Sequence, residues 1–338
     1  MPIADHCQEE SLKLETSVAP LNLLADIGGT NARFALADEA HALKNIKVLA
    51  SGNYPSLADA VQDYLSQCSG ALVRNAVVAI ATPVLGDRVR MTNHHWSFSI
   101  EATRILLGLQ TLLVINDFSA LAMSLPYLQE GQLVRLDRDG QPRHGVKTVI
   151  GPGTGLGMAG LVPVAGDWQA LATEGGHVDF APSDALEVEM LKILWQDFAR
   201  VSAERLVSGP GISLIYRVLC QIYNIQPKAT DPARIVELAT DGSCPIARQT
   251  MVTFSGFLGA VAGNLALTFG ATGGVYLGGG VLGKLGDNFD ISKFRERFVD
   301  KGRFRPYLEA IPNYRITAEY PALIGAARHL RQVLASRA

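Results

Sequence analysis

An aspartate that closes a buried strand is placed to take a proton from a bound ligand, and Asp117 has that setting. The run Thr111-Leu-Leu-Val-Ile-Asn-Asp-Phe-Ser-Ala120 reads as an apolar strand that stops at Asn116-Asp117 and continues as a helix. In open α/β sheets, ligands bind at the carboxyl ends of strands, where a carboxylate can accept the proton of a substrate hydroxyl. The same aspartate would serve as N-cap of the following helix. Polar residues recur at Glu174-Gly-Gly-His-Val-Asp179 and at Glu204-Arg205. Carboxylate, amide and imidazole groups match hydroxyls that both donate and accept, so Glu174, His177 and Glu204 are candidate contacts for a polyol. The plainer alternative makes Glu174 a turn residue and Glu204 a solvated residue at a helix start. His177 and Asp179 stand two apart, but no third ligand at zinc spacing is nearby. His94-His95 beside Trp96 reads as loop packing.

Glycine supplies the second kind of chemistry. Leu23-Leu-Ala-Asp-Ile-Gly-Gly-Thr-Asn-Ala-Arg-Phe-Ala-Leu36 and Val149-Ile-Gly-Pro-Gly-Thr-Gly-Leu-Gly-Met-Ala-Gly-Leu161 share one grammar: apolar strand, Gly/Thr turn, apolar strand. Each reads as a hairpin whose backbone N–H groups can approach phosphate oxygens, and two such hairpins can grip a polyphosphate from both sides. Asp26, in an otherwise apolar run before Gly28-Gly29-Thr30-Asn31, is placed to hold hydrated magnesium, with Thr30 and Asn31 as donors to phosphate. A plain hairpin turn also favours Gly-Gly and Asn. The dinucleotide fingerprint fails at Gly151-Pro-Gly-Thr-Gly-Leu156, where leucine takes the third glycine's place and a strand follows instead of a helix. The segment Gly278-Gly-Gly-Val-Leu-Gly-Lys-Leu285 spells GxxxxGK but has leucine where Ser or Thr must meet magnesium, so it is a decoy. Gly278, Gly279 and Gly280 still follow a short strand and can pass close to a nucleotide or form a structural turn.

The elements that must position these residues follow from periodicity. Apolar runs at 21–25, 76–81, 112–115, 146–150, 158–164 and 275–277 read as strands, and 56–68, 184–199, 210–223, 232–240 and 246–269 as helices. Strands mixed with helices give the α/β class, and 338 residues hold about two domains. The polar stretch 129–145 is a candidate seam between them. With 30 Lys+Arg against 32 Asp+Glu the formal charge is -2, so there is no electrostatic footprint for nucleic acid or an anionic membrane, and a small-molecule partner is expected. Residues 251–270 carry no charge over a membrane-spanning length, but four polar residues and four glycines dilute them, and they read as a buried helix packed through its glycines. Cys7, Cys68, Cys220 and Cys244 form no CxxC pair, and the first twenty residues lack the apolar run of a secretory signal, which together point to a reducing, cytoplasmic location. The first twenty are expected to be a frayed extension.

Taken together, these residues resemble the bacterial glucokinase family, ATP-dependent enzymes of the actin, Hsp70 and sugar kinase superfamily. The resemblance rests on Asp26-Ile-Gly-Gly-Thr-Asn-Ala-Arg33, Met91-Thr-Asn-His-His-Trp96, Ile115-Asn-Asp-Phe118, Gly153-Thr-Gly-Leu-Gly157, Glu174-Gly-Gly-His-Val-Asp-Phe-Ala-Pro182, Ser202-Ala-Glu-Arg-Leu206, Ser208-Gly-Pro-Gly211 and Gly278-Gly-Gly280. It runs from about residue 22 to the C-terminus, and one departure is Ala25, where some relatives have glycine. It implies a two-domain actin-like ATPase (ribonuclease H-like) fold, with residues 21–127 plus 318–338 as the small domain, 128–317 as the large one, and the site in the cleft between them. It implies Asp117 as general base, and Asn93, Asn116, Glu174, His177 and Glu204, with Asp117, as contacts of glucose. Ala25, Asp26, Ile27, Gly28, Gly29, Thr30, Asn31, Arg33, Gly153, Thr154, Gly155, Gly278, Gly279 and Gly280 are then the ATP contacts, with Asp26 near Mg2+ through water. A homodimer is also implied. The ROK branch of sugar kinases is less similar, because its cysteine-rich zinc motif is missing. Two rivals stand beside this expectation: an actin-like or chaperone-like ATPase with a protein partner, and a kinase for another hexose.

Overall fold

A computed structural model describes residues 21–337 apart from 39, 41, 69, 70, 138, 139 and 142. The expected N-terminal extension and Cys7 lie outside the described residues.

The chain opens with three strands, β1 (Leu21–Ile27), β2 (Asn31–Ala37) and β3 (Leu43–Ala50), followed by helix α1 (Leu57–Ser66) and strand β4 (Val73–Ile80). A short hairpin, β5 (Arg88–Arg90) and β6 (Ser97–Ser99), leads to α2 (Ile100–Leu106), β7 (Thr111–Asn116) and α3 (Asp117–Ser124). The first sheet has the order β3-β2-β1-β4-β7, with β1 to β3 antiparallel and β1, β4 and β7 parallel. Both faces are covered, as the near-continuous apolar runs require. Along β1, Leu23, Ala25 and Ile27 enter the core under α1 with Leu57, Val61 and Tyr64. Leu24, pointing the other way, packs with Leu323, Ala326 and Leu330.

The second half repeats this plan. Strands β8 (Leu133–Arg135), β9 (Lys147–Pro152), β10 (Leu156–Val164) and β11 (Asp167–Thr173) precede helices α4 (Ala185–Asp197), α5 (Ala203–Leu206), α6 (Gly209–Ile222), α7 (Pro232–Thr240) and α8 (Pro245–Phe269). Then come β12 (Val275–Leu277), α9 (Gly280–Leu285), α10 (Ile291–Val299), α11 (Arg305–Glu309), β13 (Asn313–Ile316) and α12 (Pro321–Ala335). The second sheet has the order β11-β10-β9-β12-β13-β8, again an antiparallel meander (β9 to β11) beside parallel neighbours (β9, β12, β13). The two glycine hairpins of the sequence therefore occupy equivalent places in two similar sheets.

Helix α8 belongs to the largest core, where Phe254, Phe257 and Leu258 are buried with Phe294 and Phe298 of α10. A side chain at Gly259 would run into the Phe294 carbonyl, so glycine permits this close crossing. It is the one described helix long and apolar enough to cross a membrane, and it is mostly buried inside the protein. Between the sheets lie α3 and α12: α3 packs Leu121, Ala122 and Met123 against Val149, Ala159 and Leu161 of the second sheet, while α12 covers the first.

Candidate active site

The carboxyl ends of β1, β4 and β7 face the hairpin of β9 and β10 across a cleft of about 730 Å³. Its lining includes Gly28, Gly29, Thr30, Asn31 and Arg33 from the first hairpin and Gly153, Thr154 and Gly155 from the second. Asn93, Asn116, Asp117, Glu174, His177 and Glu204 line it as well, so residues scattered over some 180 positions converge on one space. Ala25, Asp26, Ile27, Gly278, Gly279 and Gly280 are not among the lining residues.

The two hairpins owe their shapes to different causes. In the first, Gly28 N–H donates to the Asn31 carbonyl at 2.9 Å and closes a tight turn. Neither Gly28 nor Gly29 has a positive φ, contrary to what a Gly-Gly hairpin turn suggests; a Cβ on Gly29 would lie 3.0 Å from the Asn93 carbonyl oxygen. Glycine here leaves room for the Asn93 loop. In the second, Gly153 N–H donates to Gly155 O at 2.8 Å, and Gly209 N–H, at the start of α6, donates to Gly153 O at 2.8 Å. The strand that follows, β10, confirms that this is no dinucleotide turn. Gly279 does need its freedom, with φ of +84° and no space for a side chain against Gly151 and Pro152. Lys284 of the P-loop-like segment is exposed on α9 and does not line the cleft.

Asp117 is the first residue of α3, and the cap falls to its neighbour. Asn116 has extended backbone, and its Oδ1 accepts from Phe118 N–H at 2.9 Å and Ser119 N–H at 3.2 Å. The alternative in which Asp117 caps the helix is thus corrected: the strand ends one residue earlier than that assignment needs. Asn116 Nδ2 donates to Asp117 Oδ1 at 3.1 Å, and Phe118 N–H reaches the same oxygen at 3.0 Å. Burial, reinforced by the negative charge of Asp26, pushes the Asp117 carboxyl up to about 7 despite the Phe118 amide. Asp26 is itself raised by burial, against the pull of Arg33, whose guanidinium donates to it at 3.2 Å.

On the opposite wall, Glu204 in the first turn of α5 accepts from Leu156 N–H at 2.8 Å, which ties it to the second hairpin. Its other oxygen lies 3.8 Å from His177 Nδ1. Glu174 and His177 are exposed in the cleft. Asp179 turns away to pair with Arg200 at 2.9 Å, and among the described residues no group of three His, Cys, Asp or Glu could hold a metal ion. Phe118, Thr82 and Thr92, for which no site role was expected, also line the cleft. The hydroxyls of Thr82 and Thr92 lie 3.1 Å apart; no spacing in the sequence announces that pair.

Solved structures share this architecture. The crystal structure of glucokinase from an Antarctic psychrotroph matches with a TM-score of 0.84 at 36% identity, covering 92% of this chain and 99% of that one. A ROK family glucokinase from Streptomyces griseus, in complex with glucose and AMPPNP, shares the fold with a TM-score of 0.64 at 21% identity, over 92% and 99% of the two chains. Fold and cleft together place the chain among proteins of the actin-like ATPase fold, the architecture these glucokinases share.

Sequence relatives narrow the class. The family model described as Glucokinase matches residues 23–333, and the chain belongs to the glucokinase family. A glucokinase of Chromobacterium violaceum is 49% identical over 316 residues, 93% of this chain and 90% of that protein. The bifunctional protein glk of Burkholderia lata is 50% identical over 316 residues, and the chain spans about half of that relative's length (49%).

Proposed function

We propose that this chain transfers the γ-phosphoryl group of ATP to the 6-hydroxyl of D-glucose, giving glucose 6-phosphate and ADP. The observation that carries the reading is Asp117: a carboxylate at a strand's end, raised to about 7, lining one cleft with two glycine hairpins and a set of hydroxyl-matching side chains. A general base works best when its pKa is near the working pH, and Asp117 meets that condition. Asp117 takes the proton of the attacking hydroxyl. Asn93, Asn116, Glu174, His177 and Glu204 hold the sugar; Asn116 keeps one Nδ2 hydrogen for it while the other serves Asp117.

Phosphoryl transfer needs positioning and charge neutralisation more than covalent chemistry. The backbone N–H groups of residues 28–31 and 153–155 supply donors for the phosphates and Arg33 adds a cation at the first hairpin, whereas Ala25 and Ile27, fully buried in β1, support that hairpin from the core without touching the nucleotide. Magnesium bound to nucleotide phosphates keeps several waters and takes one or two carboxylates. A partly buried Asp26 at the hairpin's base suits that demand; the ion would neutralise charge on the phosphates. The two lobes, residues 21–127 with 318–338 and residues 128–317, close around the sugar and exclude water as acceptor. Free, buried Cys68, Cys220 and Cys244 suit a cytoplasmic enzyme. The homodimer implied by the family resemblance is part of the same proposal.

Asp117→Ala tests the reading. The variant is expected to keep its fold, measured by circular dichroism, and to lose about 10²–10⁴-fold in kcat. Near-normal turnover removes Asp117 from the mechanism.

A further inference from the structure

Phe118 joins the two halves of the cleft. Its amide N–H donates to Asn116 Oδ1 and to Asp117 Oδ1 on the first-sheet side. Its ring reaches across to the second sheet, where Gly151 of β9 and Gly157 of β10 stand directly opposite each other in register. A Cβ on Gly151 would lie 2.8 Å from the ring's Cζ and, on its other flank, 2.9 Å from the carbonyl carbon of Gly278. A Cβ on Gly157 would overlap Cε2 and Cδ2. Neither strand has room for a side chain while the ring is in place. The turn between those strands is 153–155.

We infer that Phe118 is a positioning residue for phosphoryl transfer: its ring, seated in a slot made by Gly151 and Gly157, fixes the Asp117 carboxylate relative to the second glycine hairpin. The inference rests on Asp117 acting as base in the proposed kinase reaction. Placement of this kind matters because small displacements of a reacting group are costly in rate. Simple packing makes a different forecast. Helix α3 already buries Leu121, Ala122 and Met123 beside Val149 and Leu161, contacts that hold the helix without the ring.

The experiment is a double-mutant cycle on the full chain, using Phe118→Ala, Gly157→Ala and their combination, with Phe118→Leu as the milder variant. Steady-state ADP release with ATP and glucose is read together with melting temperature. Each single variant is expected to lower kcat about 10-fold to 100-fold, with KM for glucose changed by less than about threefold, the split expected when only transition-state alignment is lost. Gly157→Ala is expected to cost nothing further once the ring is gone, because the methyl then enters vacated space. Losses that simply multiply, or a lowered melting temperature with kcat intact, overturn the positioning role. Full kcat in Phe118→Ala beside an inactive Asp117→Ala overturns it while leaving the kinase reading in place. An unaltered protein that releases no ADP in response to glucose overturns the kinase reading itself.

Discussion

Asp117 is held between two opposing influences, and its chemistry depends on their balance. Burial and the charge of Asp26 favour the protonated carboxyl, while the Phe118 amide favours the carboxylate. The result near 7 means that the basic form is gained as pH rises through neutrality. We therefore expect kcat/KM for glucose to rise with pH along a limb centred near 7, and a limb centred near 4 would contradict it. Stability moves the other way. A carboxyl raised in the folded state binds its proton more tightly there than in the unfolded chain, so the destabilisation sets in above the unfolded value of about 4, is only partly developed at pH 5 and is complete above about pH 7. Asp117→Asn should thus raise the melting temperature more at pH 8 than at pH 5, by about 2–4 °C for each kcal/mol recovered. Equal changes at both pH values would count against a buried, raised carboxyl. At this scale the sequence was half legible. The Asn-Asp pair at the strand's end was plain, but both residue types cap helices well, and only the backbone of Asn116 assigns the cap to it.

Between elements, Glu204 is the residue that connects the proposed sugar contacts to the second glycine hairpin. It sits in the first turn of α5 and accepts the Leu156 N–H at the foot of the second hairpin. Glu174 and His177, exposed on the segment after β11, lack that bond. Glu204→Ala is accordingly expected to raise KM for both glucose and ATP, by about tenfold each if the lost charge-assisted bond is worth about 1.5 kcal/mol. Glu174→Ala and His177→Ala should raise KM for glucose more than KM for ATP. Initial rates with each substrate varied separately distinguish the two patterns, and an effect of Glu204→Ala on glucose alone would show that the hairpin does not depend on it. Continuous apolar runs announced β1, β4, β7, β9, β10 and β12, because strands covered on both faces must be apolar throughout. Strand β3 at one sheet edge, β11 at another, and the short β13 carry polar residues such as Lys44, Lys47, Asp167 and Arg315, which hid them. Helix α10 was masked in the same way by Lys293, Arg295, Glu296 and Arg297.

At the scale of the whole molecule, the repeated hairpin grammar of the sequence corresponds to a repeated architecture, a meander beside parallel strands built twice. Each half brings one glycine turn to the cleft, and α3 and α12 lie between the sheets. Stability away from the cleft includes a buried ion pair in which Arg297 of α10 meets Glu187 of α4, with Ser183 donating its amide to the same carboxylate at 2.7 Å. Arg297→Ala leaves that carboxylate buried and unpaired, so it should cost about 3–5 kcal/mol in denaturant unfolding while leaving KM for glucose unchanged. A loss below about 1 kcal/mol would place the pair among weak surface contacts. The central claim, that this cleft phosphorylates glucose, is tested most directly by coupled ADP release with MgATP in the presence of glucose, fructose, mannose, galactose, N-acetylglucosamine or no sugar. ADP release that requires glucose is the predicted result. Preference for another hexose would reassign the substrate, and equal ADP release without any sugar would contradict the kinase account and leave a cleft that hydrolyses ATP for another purpose.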